Sequence, residues 1–206
     1  DLSSTDPDAQ SQTGFPGPLV DLRVVSPNMQ DVPHDGLTTG EIVVKAPWLT
    51  NGYMDNPKAS KDLWRNSYLH TGDVGYIREN GSLQVTDRLK DVIKTGGEWI
   101  SSLAIENIAS LYSGIEEVAA IGIPDEKWGE RAVLVAKLSN KALPNIVRQE
   151  LKRKFQDHVE LGEISKWAIP DNIFFVEKLP KTSVGKLDKK AIRKNVLTLN
   201  EINNDR

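Results

Sequence analysis

The sequence predicts an α+β fold in two parts, a small all-β unit followed by helices set against a small sheet. Three observations carry this. Residues 14 to about 87 hold short β-branched runs broken by Pro, Asn, Asp and Gly. After Asp87 the pattern changes to apolar residues at helical spacing, alternating with unbroken apolar runs. No internal repeat is present, so the change at 87 marks a boundary between two different units.

Taken in order, residues 1 to 13 are rich in Ser, Asp, Gln and Thr and read as a disordered lead-in. Leu19 to Val25 and Glu41 to Lys45 read as strands, and the Pro-, Asn- and Gly-bearing stretch between them as a hairpin-type connection. Val74–Ile77 and Ser82–Thr86 form a second hairpin around the turn Glu79-Asn80-Gly81. Ser101 or Ser102 caps a helix whose apolar positions are Ile105, Ile108, Leu111 and Tyr112. Val118–Ile123 and Ala132–Leu138 are strands. A second helix places Ile146, Leu151, Phe155 and Val159 roughly on one face. Asn172–Val176 is a third strand, and Asp188–Val196 a short basic helix. The expected domains are therefore 1–87 and 88–206.

Composition removes several function classes. A net charge of −3 gives no global basic field of the kind that holds nucleic acid. The absence of cysteine removes disulfides, thiolate metal sites and a cysteine nucleophile, and fits a reducing, cytoplasmic compartment. His34, His70 and His158 are too scattered to predict a metal site, so none is assigned. No apolar run reaches transmembrane length and no stretch reads as a signal peptide. The polar opening at Asp1, with no initiator Met, is that of a trimmed polypeptide or a processed terminus.

Three segments carry candidate chemistry. In Leu179-Pro180-Lys181-Thr182-Ser183-Val184-Gly185-Lys186 a proline restricts one end of a loop and a glycine permits a sharp bend at the other. Lys186 is then either a solvated surface lysine or a mobile point charge for phosphate or carboxylate oxygens. In His70-Thr71-Gly72-Asp73, Asp73 either bonds its own turn or accepts two parallel hydrogen bonds, as from a vicinal diol. The third segment runs from Asp87 to Trp99. Arg88 either pairs at the surface with Asp87 or Asp91 or forks onto hydroxyls or a phosphate. Lys90 is either a solvated linker lysine or a boundary residue where backbone angles can change. Gly96 and Gly97 are either a turn between strand and helix or a place where backbone passes close to a thin ligand. Trp99 is either a core aromatic or part of that approach. Trp48, Trp64, Trp128 and Trp167 are expected to be at least partly buried.

In that order and at that spacing, the three segments resemble the C-terminal portion of the acyl-adenylate-forming enzymes, from about Gly14 to Arg193. The run Gly96 to Ser102 is most similar to medium- and long-chain fatty-acyl-CoA synthetases. The resemblance implies a β-barrel-like end of a large N-terminal domain, then a small mobile C-terminal domain hinged near Lys90. It implies Asp73 and Arg88 as contacts to the nucleotide of ATP/AMP, and Lys186 as the catalytic lysine of adenylation. It implies Gly96 and Gly97 as the lining of the CoA channel, with Lys94, Glu98 and Trp99 approaching the acyl-adenylate. Mg2+ would come with ATP, held by its phosphates and by the N-terminal domain. That domain, with its phosphate loop and acyl pocket, is not in this sequence. The expectation is a synthetase fragment, inactive alone, whose substrates are a carboxylic acid, ATP and CoA. Some members form homodimers. The rivals are transfer to a carrier protein, a luciferase-like oxygenase, and a non-catalytic nucleotide- or partner-binding module.

Overall fold

The computed structural model describes residues 13–140 and 142–204. Twelve of the thirteen residues of the expected lead-in lie outside that range. The thirteenth, Thr13, is ordered: its hydroxyl accepts the Val85 N–H, and the Gly14 carbonyl accepts that of Leu83. The chain divides into two compact units between Lys90 and Asp91, three residues beyond the boundary expected at 87/88.

The first unit is a five-stranded antiparallel sheet of β1 (Asp21–Val25), β2 (Gly40–Lys45), β3 (Trp64–Arg65), β4 (Tyr68–Ile77) and β5 (Leu83–Arg88). β4 pairs with β2 along one edge, and with β3 and then β5 along the other. Val24, Val32, Ile42, Ile77 and Leu83 form its core. The predicted Glu79-Asn80-Gly81 turn is present. Gly81 supplies φ +85°, and the Asn80 side chain accepts from both the N–H and the hydroxyl of Ser82. One helix escaped the sequence reading, α1 (Pro57–Leu63). Asn56 caps it and Pro57 occupies its first turn, but it buries no residue, so it has no apolar stripe to detect.

The second unit is a sheet covered on both faces. Its strands are β6 (Ile93–Thr95), β7 (Glu98–Ile100), β8 (Ile115–Asp125), β9 (Gly129–Leu138) and β10 (Asn172–Phe175). The long β8–β9 ribbon is antiparallel, and β10 joins β9 in parallel after a helical crossover. Helices α2 (Ser102–Ser110) and α3 (Pro144–Glu160) cover one face through Ile105, Ile108, Val147, Leu151 and Phe155. Helix α4 (Lys189–Asn204) covers the other, setting Ile192 and Val196 on Ala119, Ile121, Val133 and Val135. Burial on both faces is why β8 and β9 read as unbroken apolar runs.

Three side-chain expectations are corrected. Leu111 is 74% exposed because α2 ends at Ser110 and its cap faces outward. Ile146 is exposed, since the buried stripe of α3 runs through Val147, Leu151 and Phe155, one position round the helix. Trp48 is 62% exposed, whereas Trp64, Trp128 and Trp167 are half-buried as expected.

Candidate functional site

In the first unit the site is built at the middle of β4. Gly72 has φ +70°, which breaks the strand's regular pleat. The Thr71 hydroxyl donates to the Ile42 carbonyl and accepts the N–H of Asp73, fixing that backbone. The Asp73 carboxylate does not close its own turn. It faces Arg88 across the β4–β5 ladder, with Nε 3.0 Å from Oδ1. This also corrects the surface partner expected for Arg88: Asp87 is buried and instead accepts the backbone N–H of Arg88. The Arg88 side chain remains 62% exposed. A hollow of about 470 Å³ is lined by Gly72, Arg88, Leu89 and Lys90, beside this pair. It offers a guanidinium, a carboxylate on the same ladder and open space. Those elements suit a polyhydroxylated anion.

In the second unit the Lys94–Trp99 segment is a tight β-hairpin, β6–β7, rather than a loop from strand to helix. Gly96 (φ +58°) and Gly97 (φ +86°) are its two turn residues, and both need the left-handed region. The Gly96 N–H donates to the Trp128 carbonyl, and the Lys94 N–H to Glu130. A side chain at Gly97 would meet open space. Lys94 and Trp99 are opposite each other in the ladder, with the ammonium 5.3 Å from the ring centre. Thr95 and Glu98 flank the turn, and Glu98 is exposed.

Lys186 sits on a third element, a loop closed by the Lys181–Leu187 bridge. The Thr182 N–H donates to the Lys186 carbonyl and the Gly185 N–H to the Thr182 carbonyl, with Gly185 at φ +82°. Lys186 is exposed at the tip. Lys181 pairs with Glu117 at the start of β8, whereas the glycine turn sits at the opposite end of the ribbon, beside Asp125 and Gly129. The structure thus groups the candidates into three places: Asp73 with Arg88, Lys94 through Trp99, and Lys186.

Two clusters escaped the sequence reading. Trp128 and Trp167 pack against each other under the Gly96 turn, with ring centroids 4.6 Å apart and planes tilted by 49°, and Lys127 and Lys166 lie over their rings. Arg131 pairs with Asp171 and lies over Trp167; the carboxylate raises the guanidinium above its ordinary value. The second cluster is Lys189 with Glu106 and Ser102, described below. Lys189 belongs to the basic helix predicted over 188–196, yet its side chain is only 13% exposed. Among the described residues no group of three or more His, Cys, Asp or Glu is placed to hold a metal ion. No helix among them is long and apolar enough to cross a membrane.

Residues 104–186 match the AMP-binding enzyme C-terminal domain family. A long-chain-fatty-acid–CoA ligase of Thermus thermophilus is 38% identical over 89% of this chain and 33% of its own length. A 3-methylmercaptopropionyl-CoA ligase of Ruegeria lacuscaerulensis is 37% identical over 84% of this chain and 31% of its own. A peroxisomal trans-cinnamate:CoA ligase of Petunia hybrida is 36% identical over 82% and 28%. Among solved structures, o-succinylbenzoate CoA synthetase of Bacillus subtilis with its acyl-adenylate intermediate superimposes with TM-score 0.73. It is 25% identical and covers 90% of this chain and 36% of that one. The chain belongs to the acyl-adenylate-forming, AMP-binding superfamily, whose C-terminal domain it carries. It spans about a third of the length of the curated relatives it matches.

Proposed function

We propose that this chain is part of an ATP-dependent acyl-CoA synthetase that activates a carboxylic acid in two half-reactions. In the first, a carboxylate oxygen attacks the α-phosphorus of ATP and pyrophosphate leaves. Lys186 neutralises charge on the incoming and transferring oxygens, while Asp73 and Arg88 hold the nucleotide's ribose. In the second, the CoA thiol attacks the acyl carbonyl and AMP leaves. The Gly96-Gly97 turn lets the pantetheine arm pass close to the backbone, with Lys94, Glu98 and Trp99 beside it. The tilted Trp128–Trp167 pair and its lysines, next to that turn, suit the aromatic and anionic end of the same molecule.

The observation that carries this reading is the placement of the Lys181–Glu117 stem of the lysine loop and the glycine turn at opposite ends of one ribbon. From Glu117 to Asp125 is about eight residues, or about 26 Å of strand at about 3.3 Å per residue. One small domain cannot bring both ends to the same carbonyl at once. A rotation about a hinge at Lys90, the last residue of the first unit, would present them in turn. Mg2+ would enter with the ATP phosphates. We place the parent enzyme in the cytoplasm. Homodimerisation would reside in the absent N-terminal domain.

The test is CoA-dependent AMP release by the full-length parent over a graded series of carboxylic acids, with this chain alone as control. The proposal predicts turnover that requires CoA and peaks within one acid class, fatty acids first, with none from the chain alone. Acyl-AMP formation indifferent to CoA would instead assign a carrier protein or other acceptor.

A further inference from the structure

Helix α4 begins only three residues after Lys186, and its first residue is tied down from below. The Lys189 ammonium lies 2.7 Å from Glu106 Oε1 and 2.6 Å from Ser102 Oγ, both on α2. The Lys189 and Glu106 side chains are each 13% exposed. Glu106 also accepts the Ala120 N–H from β8, at 2.8 Å. One sequestered ion pair therefore joins α4, α2 and the central ribbon. The opposite stem of the same loop is held by Lys181 and Glu117, a pair whose side chains are 42% and 31% exposed. Exposed pairs hold geometry weakly.

A sequestered pair of this kind is a poor stabilising device, because desolvating both charges offsets most of their attraction. What it does well is fix register. We propose that Lys189 is a positioning residue for Lys186: its bond to Glu106 and Ser102 sets where α4 starts, and so where the lysine loop projects. This rests on the adenylation role proposed for Lys186. Leu187 and Asp188 are the only residues between the two lysines. Both are fixed, Leu187 by the bridge to Lys181 and by core contacts, Asp188 by its N–H to the Pro180 carbonyl and by capping Ala191. A displacement at Lys189 is thus passed to Lys186 with little slack, and errors of about 1 Å at a reacting group can cost up to about 100-fold in rate.

The experiment uses the full-length enzyme with Lys189→Met, Lys189→Arg and, in parallel, Lys186→Ala. Adenylation and thioester formation from preformed acyl-adenylate are measured separately. Lys189→Met is expected to lower kcat for adenylation about 10- to 100-fold with little change in KM for ATP, and to leave the thioester step within about twofold. Lys189→Arg, which keeps the charge, should recover most of the loss. An unchanged adenylation rate, or equal loss in both steps, overturns the inference. If Lys189→Met fails to fold, Lys189→Met/Glu106→Gln removes both charges and is judged by the same two rates. Should Lys186→Ala abolish adenylation while Lys189→Met does not, only the positioning role falls. Should Lys186→Ala itself spare adenylation, the adenylation role falls first.

Discussion

Asp73 shows what a single residue reveals in sequence and what it hides. Its carboxylate on a Thr-Gly-Asp segment is visible in the letters, but the arginine it faces is fifteen residues on. Only the β4–β5 register brings them to 3.0 Å. Lys189 is the converse: nothing in a run of basic residues marks the one that turns inward to Glu106. Burial of a long side chain is decided by its tertiary partner. A testable residue-scale case lies outside the site, at Asp35. Hydrogen bonds from the Thr38 hydroxyl and from the Thr38 and Leu37 N–H groups hold its carboxyl at about 2. A folded value below the unfolded one means stability that is complete above the ordinary carboxylate range and lost as pH falls toward 2. Thr38→Ala, which removes the largest of these contributions, should raise the Asp35 titration midpoint in carboxyl-carbon NMR. An unmoved midpoint would show that the hydroxyl bond is not its cause.

Elements were legible where they were long or buried on both faces. The β8–β9 ribbon, α2, α3 and β10 follow from apolar runs and helical spacing, and Ser101 caps α2 as its letters allow. Short elements were not. β3 has two residues, β6 and β7 three each, and α1 buries nothing, so none contains a full period of pattern. Nor did the sequence show which glycines are packed by neighbours. Gly75 on β4 is such a glycine, since a Cβ there would stand 2.2 Å from the Gln84 carbonyl oxygen on β5. Neither backbone can yield without breaking the ladder. Gly75→Ala should cost the first unit about 1–3 kcal/mol or more and strip hydrogen-exchange protection from β4 and β5. Protection equal to that of the parent would show that the strands can part at no cost.

At the scale of the molecule, the residue pattern changes near Asp87, and the chain divides into two compact units between Lys90 and Asp91. The distribution of chemistry was only half legible. Motif order brought out Asp73, Arg88, Lys94 to Trp99 and Lys186, yet not the fact that the Lys181–Glu117 stem of the lysine loop and the glycine turn lie at opposite ends of one ribbon. That separation is a property of strand pairing, which spacing along the chain does not contain. It is also what makes one domain with two tasks a physical proposal. The most direct test measures the two half-reactions in full-length Lys186→Ala and Gly97→Asn, asparagine being tolerated at positive φ. The account predicts reciprocal losses: adenylation falls in the first with thioester formation spared, and the reverse holds in the second. Parallel loss of both steps in either variant would contradict it.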